Sequence, residues 1–449
     1  MANKVFIQSL GCPKNLVDSE VISGVLRAAG YEGVAHPEEA DILLVNTCGF
    51  ITPAVEEGID AILHLVTIKQ EKVGCRLVVA GCMVQRYGDE LRKEFPEVDL
   101  FIGVDEIANI ADLLASRQPV TPEIIAQATI PGYLMDCKTP RLVSTPAFRS
   151  YLKITEGCSN RCSYCLIPSL RGPLRSRNLP DLIKEAQFLE ESGSKELTLV
   201  AQDLTAYGLD FGPGRERLPD LLKALLEQTS ILWLRMLYLY PMRLNEEVLQ
   251  LVAANSRILP YFDIPLQHIN DRILKAMNRP YTRSSVEKLL TRIREVLPGA
   301  AIRTTFMVGF PGETEAEVAE LAEFMTTARL DNVGIFCYSN EAECAAASLP
   351  EQCSEEIKIA RKDELMRVQA EISREINQLK VGTIQPVLVE GLSQESDLLL
   401  EGRTRFQASE IDGVVYITAG TCEVGDIVEV RITEAHPYDL VGEIVSQEE

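Results

Sequence analysis

An α/β fold in three parts is predicted: a mostly parallel-sheet N-terminal domain, an open, partial barrel of six strand–helix units, and a small C-terminal antiparallel β-barrel. Three observations predict it. Short apolar runs alternate with helical periodicity up to about residue 115, the alternation resumes at 151, and residues 380–449 read as short β runs separated by glycines. At about 150 residues per domain the 449-residue chain has room for three, and its 46% hydrophobic content supplies a core for each.

The first apolar runs are 5–7, 42–45, 77–80 and 100–102, with helices expected over 15–29, 52–69, 83–95 and 105–114. Such a series makes a parallel sheet with helices on its faces. Five prolines (Pro119, Pro122, Pro131, Pro140 and Pro146) then break the rhythm and mark a connector. Strands are expected near 151–155, 196–202, 232–238, 260–265, 301–308 and 332–338, and six units fall short of the eight that close a barrel. Leu365, Val368, Ile372, Ile376 and Leu379 step by three and four, predicting an amphipathic helix packed along that domain. The runs 387–389, 398–400, 414–417 and 427–430, divided by Gly391, Gly402, Gly413 and Gly425, build the last barrel. The expected boundaries are 1–116 for the first domain, 117–143 for the linker, 144–378 for the core with its trailing helix, and 379–449 for the barrel.

With 44 basic against 66 acidic residues, the net charge of −22 disfavours general attraction to nucleic acid or anionic lipid. No window reaches the roughly 18 uninterrupted apolar residues of a membrane span, and the densest, 231–242, is broken by Arg235 and Pro241. The first ten residues alternate like a strand and lack an apolar signal core. The chain is therefore expected to be cytoplasmic. Twelve cysteines are too sparse for a disulfide scaffold, and clustered thiols in a reducing compartment bind metal or do chemistry.

Their spacing is informative. Cys158, Cys162 and Cys165 form a Cys-x3-Cys-x2-Cys loop just past the first strand of the second domain. Three thiolates leave one iron of a four-iron cluster open to a small molecule, whereas zinc would need a fourth ligand from elsewhere. Cys12, Cys48 and Cys82 each follow a predicted strand, so a parallel sheet brings all three to one edge, where ligands bind. They could hold a second cluster, or be three small buried residues. Cys75, Cys137, Cys337, Cys344, Cys353 and Cys422 share no spacing and read as core or surface thiols.

The Cys158 to Cys165 loop, with Tyr164 before its last cysteine, resembles the radical S-adenosylmethionine (SAM) enzymes, and Cys12, Cys48 and Cys82 extend the likeness to the methylthiotransferases. The stretches 10–20, 167–177, 261–268 and 308–314 are similar to the RimO branch of that family, which modifies a ribosomal protein. The resemblance implies a flavodoxin-like first domain, a radical SAM partial barrel and a C-terminal TRAM domain. It implies two 4Fe-4S clusters: one on Cys158, Cys162 and Cys165 that binds and reduces SAM to a 5′-deoxyadenosyl radical, and an auxiliary one on Cys12, Cys48 and Cys82 that carries sulfur. Tyr164 would pack beside the cluster and offer its backbone to the adenine, the other reading being a core aromatic; Gln202 would lie at the SAM amino group; and Gly309 would place backbone near the ribose, or simply form a turn before a Glu-rich helix. Arg175 and Arg177 could hold a carboxylate or face solvent, and His268 reads as structural. The segment Tyr338 to Ala345 departs from the Tyr-Ser-x-Glu-Glu-Gly-Thr-Pro usual among relatives.

By that resemblance the methylthio group goes to the β-carbon of an aspartate in small-subunit ribosomal protein twelve, with a flavodoxin or ferredoxin as electron donor. The alternatives are an adenosine of transfer RNA and a non-catalytic iron–sulfur scaffold or electron carrier. Residues 380–449 hold four basic groups (Lys380, Arg403, Arg405 and Arg431) against fourteen acidic ones. An RNA-binding barrel needs a basic groove, whereas an acidic one suits a basic ribosomal protein, so nucleic acid is not expected as the direct substrate.

Overall fold

The computed structural model describes residues 3–116, 123–125, 130–396 and 398–445. In the first domain β1 (Lys4–Ser9), β2 (Glu32–Gly33), β3 (Ile42–Thr47), β4 (Arg76–Gly81), β5 (Leu100–Ile102) and β6 (Glu123–Ile125) pair in parallel in the order β2-β1-β3-β4-β5-β6. Helices α1 (Pro13–Ala28), α2 (Thr52–Glu71), α3 (Cys82–Glu94) and α4 (Ile110–Ala115) connect them. Every residue of β3 is buried, as both faces of the sheet are covered, which is why its sequence runs apolar without alternation. The order is flavodoxin-like, and its reversal lies between β1 and β3. Strand β6 falls inside the expected linker: proline marks the surrounding stretch as irregular, yet three residues still pair with β5.

The second domain begins at β7 (Arg149–Lys153), followed by β8 (Thr155–Glu156), α5 (Ile167–Arg171), β9 (Arg175–Ser176), α6 (Leu179–Glu191) and β10 (Glu196–Val200). Then come α7 (Leu218–Gln228), β11 (Trp233–Met236), α8 (Glu246–Ala254), β12 (Tyr261–Asp263), α9 (Asp271–Ala276), α10 (Arg283–Val296), β13 (Ala301–Val308), α11 (Glu315–Ala328) and β14 (Asn332–Cys337). Six parallel strands form two sheets, β7-β10-β11 and β12-β13-β14, joined by a parallel bridge between Leu234 and Ile258. This is the open barrel expected. Helix α12 (Glu355–Gln378) lies along it, burying Leu365 and Ile372, and the Gln369 side chain donates to the Leu330 carbonyl at 2.9 Å.

The third domain is a closed barrel of β15 (Ile384–Leu392), β16 (Leu400–Thr404), β17 (Val415–Ala419), β18 (Ile427–Ala435) and β19 (Leu440–Ile444). It is antiparallel except for β17 and β19, which run parallel. Strand β19 was not expected, because its apolar alternation is interrupted by Gly442 and Glu443. The barrel packs against the amino ends of the central strands. Trp233, Tyr261 and Ala301 share a core there with Leu388 and Ala408, and the same core continues to Val17 and Val21 of α1. Glu196 is clasped between Arg235 and Arg403 at 2.5 and 2.7 Å across this junction. The carboxyl ends of the strands are left for the site. Among the described residues no helix is long and apolar enough to cross a membrane.

Candidate active site

Neighbouring strands β1, β3 and β4 deliver the first cysteine triad. Cys12 caps α1, whose first residue Pro13 needs no N–H partner; Cys48 leaves β3; Cys82 opens α3 directly from β4. Gly11 makes the exit of β1 possible: its φ is +89°, and a Cβ there would come within 2.8 Å of the Cys48 Cβ. Gly157 has the same office before Cys158, at φ +75° and with the Pro173 carbonyl oxygen 2.2 Å from where a Cβ would stand.

The second loop is pinned at several points. The Cys158 N–H donates to the Gly172 carbonyl at 3.1 Å, the Ser163 N–H to Met277 at 3.1 Å, and the Asn278 side chain to the Arg161 carbonyl at 2.5 Å. All six cysteines line one cavity of about 460 Å³ between the domains. Among the described residues no three metal-binding side chains surround the space of a single ion. The thiolates of an iron–sulfur cluster sit on separate irons, so two triads facing one cavity fit such clusters better than a zinc ion.

A buried ionic seam holds the two walls of the cavity in register. Arg171 of α5 donates from Nε to the Cys82 sulfur at 3.0 Å and from Nη1 to Asp18 of α1 at 2.6 Å. Lys153 of β7 pairs with the same Asp18 and with Glu156 at 2.8 Å. Burial raises the Cys82 thiol to about 11 against the opposing Arg171, and raises Cys165 to about 12. At Cys12 burial also works upward, but Lys14, the N–H groups of Asn15 and Lys14, and Arg171 outweigh it and bring the thiol below its ordinary value. Buried thiols of this kind ionise on binding a metal.

Of the residues singled out in the sequence, Tyr164 and Gln202 line the cavity with the cysteines. The Gln202 amide donates to Glu156 at 2.7 Å, while its Oε1 is buried without a partner, a free acceptor in the wall. Gly309 is not in that lining. Its N–H donates to Glu313 at 2.7 Å, and a Cβ would come within 2.3 Å of Lys358. Arg177 is buried against Asp181 and Glu185, and Arg175 donates to the carbonyls of Tyr133, Arg171 and Pro173, so neither reaches the cavity. His268 is fully buried, 3.2 Å from Glu313. The atypical segment after Tyr338 docks on the first domain: Glu341 accepts from the Thr52 N–H at 2.8 Å and from Arg86 at 2.7 Å. Sequence reasoning passed over Lys14, Arg171, Arg279 and Arg303 of the lining, since cations are ordinarily solvated; Lys14 and Arg171 fall within the family-like stretches, while Arg279 and Arg303 lie outside them and carried no signal.

Three family models match. Residues 4–103 match the uncharacterized protein family UPF0004, residues 152–325 the radical SAM superfamily, and residues 381–445 the TRAM domain. Over 446 residues, 99% of this chain and 100% of the relative, the sequence is 53% identical to the ribosomal protein uS12 methylthiotransferase RimO of Desulfotalea psychrophila. The chain belongs to the RimO family of methylthiotransferases. A RimO of Pelobacter propionicus is 48% identical, covering 98% of each chain. Among solved structures, the radical SAM methyltransferase TsrM of Kitasatospora setae, with cobalamin and a 4Fe-4S cluster bound, superposes with a TM-score of 0.57 at 14% identity, over 86% of this chain and 81% of that one. That likeness shows the shared fold. As a radical SAM enzyme, this member of the RimO family uses a 4Fe-4S cluster and SAM.

Proposed function

We propose that this protein transfers a methylthio group to the β-carbon of an aspartate in ribosomal protein uS12. The activity named for its relatives supports the reading, and the observation that carries it is the single cavity lined by two cysteine triads from two domains. Cys158, Cys162 and Cys165 would hold the cluster that binds SAM, and Cys12, Cys48 and Cys82 an auxiliary cluster. The SAM-bound cluster supplies hydrogen abstraction from an unactivated carbon, a step that no side-chain base performs.

The chain's own residues bind and orient. Gln202 would accept a hydrogen bond from the SAM amino group on its free Oε1, its amide being held by Glu156. Tyr164 would flank the adenine from beside Cys165. Arg171 fixes Cys82 and carries its charge to the triad. The work divides among 1–116 for the auxiliary cluster, 144–378 for SAM, and 379–449 for the basic substrate protein, to which the net negative charge of that segment, fourteen acidic residues against four basic, is complementary. A flavodoxin or ferredoxin would supply electrons in the cytoplasm.

The test is a competition under anaerobic, reducing conditions between uS12 and bulk transfer RNA, using cluster-loaded enzyme and SAM and read by mass spectrometry. A methylthio adduct on an aspartate of uS12 and none on RNA is expected. An adduct on adenosine would overturn the substrate, and the absence of both adduct and 5′-deoxyadenosine would overturn the chemistry.

A further inference from the structure

Four cations line the cavity: Lys14, Arg171, Arg279 and Arg303. Two are matched by acids, Arg171 by Asp18 at 2.6 Å and Arg303 by Asp263 at 2.9 Å. Lys14 and Arg279, each 8% exposed, form no ion pair with a carboxylate among the described residues. The acids around Lys14 are otherwise engaged: Asp18 and Glu156 with Lys153, and Asp263 with Arg303. Its ammonium instead stands 3.6 Å from the centroid of the Tyr238 ring. An aromatic face offsets only part of the cost of removing an ammonium from water.

Tyr238 is itself held in an uncommon backbone conformation, with φ at +63°. Its N–H donates to Asp263 at 2.9 Å and its carbonyl accepts the Leu204 N–H at 2.9 Å. Strain of this kind persists where the surroundings over-determine it, and its effect here is to keep the ring under the ammonium. Lys14 lies two residues from Cys12, on the side of the triad that would carry sulfur, whereas Arg279 belongs to the second domain, where it stands 5.0 Å from the centroid of the Tyr240 ring in the same lining as the second triad.

We propose that Lys14 holds the carboxylate of the aspartate being modified; this rests on the reading that the substrate is an aspartate side chain. The β-carbon is one bond from that carboxylate, so anchoring the charge at Lys14 sets the reacting carbon inside the cavity that both triads face. SAM also brings a carboxylate, but its place is beside the second triad, in the domain that supplies Arg279 to the lining. A neutral adenine offers Lys14 no carboxylate to hold, so the same residue favours the protein substrate over a nucleoside.

The experiment measures binding of uS12, and of uS12 with its target aspartate changed to asparagine, to cluster-loaded full-length enzyme with SAM under anaerobic conditions. The wild type is expected to prefer the aspartate form by about tenfold or more. Lys14→Met should lose that preference and Lys14→Arg keep most of it. Equal weakening of both forms by Lys14→Met, a fall in its SAM affinity, or loss of iron from the protein would overturn the assignment. A wild-type preference near one would overturn it whether or not the variant folds. Failure of the wild type to bind or modify uS12 at all would be a failure of the substrate reading, visible without any variant.

Discussion

Glu196→Gln is expected to weaken the junction between the central domain and the last barrel by about 3 kcal/mol. The carboxylate accepts from Arg235 Nε at 2.5 Å and from Arg403 Nη2 at 2.7 Å, and the three residues are 1%, 0% and 1% exposed. Burial works to raise the carboxyl, but the two guanidiniums outweigh it and hold it at about 2 against an ordinary 4.5. That depression corresponds to about 3 kcal/mol at neutral pH, and removing one partner of a buried ion pair costs a similar 3–5 kcal/mol or so. A depressed carboxyl stabilises fully above its unfolded value and loses that contribution as pH falls from 4.5 towards 2. Trp233, the single tryptophan, is 5% exposed in the core shared with Leu388 and Ala408, so its fluorescence reports on this junction. Urea unfolding followed by Trp233 should show the full deficit at pH 7, shrinking below about pH 4 as the wild type loses what the variant never had. A variant within about 0.5 kcal/mol of wild type at neutral pH, or an undiminished gap in acid, would refute the reasoning.

Cys162→Ala should abolish SAM cleavage, whereas Cys48→Ala should keep cleavage and lose sulfur insertion; the checks are 5′-deoxyadenosine and methylthio product by mass spectrometry, and equal loss of both in folded Cys48→Ala would end the division of labour. Gln202→Leu removes the buried acceptor and should raise the Kd for SAM about tenfold by equilibrium dialysis, with an unchanged Kd placing Gln202 away from SAM. Arg86→Met leaves Glu341 buried without its cation and should free the segment after Tyr338. Amide hydrogen exchange at Glu341 and Cys344 should then quicken roughly tenfold or more, while protection unaltered there would show that the remaining Thr52 contact suffices.

The apolar runs at 42–45 and 77–80 were legible as strands because a doubly covered parallel sheet demands uninterrupted hydrophobic residues, and with the strands came the positions of Cys48 and Cys82 just past their ends. The loop from Cys158 to Cys165 was legible from spacing alone. That both triads would face one cavity was not, because it depends on how α1 docks against β7, where buried charged side chains lie beside the apolar contact of Val17 and Val21 with Tyr151. Asp18, Lys153, Glu156 and Arg171 look like solvated surface in the sequence and are all buried. Strand β6 was hidden for a different reason. Its three residues sit among prolines, and only pairing with β5 gives them a structure.

The same four residues bear on how such a protein can be altered by recombination. Asp18 belongs to the first domain and Lys153, Glu156 and Arg171 to the second, so the charge that each side buries is neutral only in the company of the other. A chimera joining either domain to a relative with different residues at these places would inherit an uncompensated interior ion even if both halves were sound. The two domains can therefore be exchanged between lineages only as a matched pair.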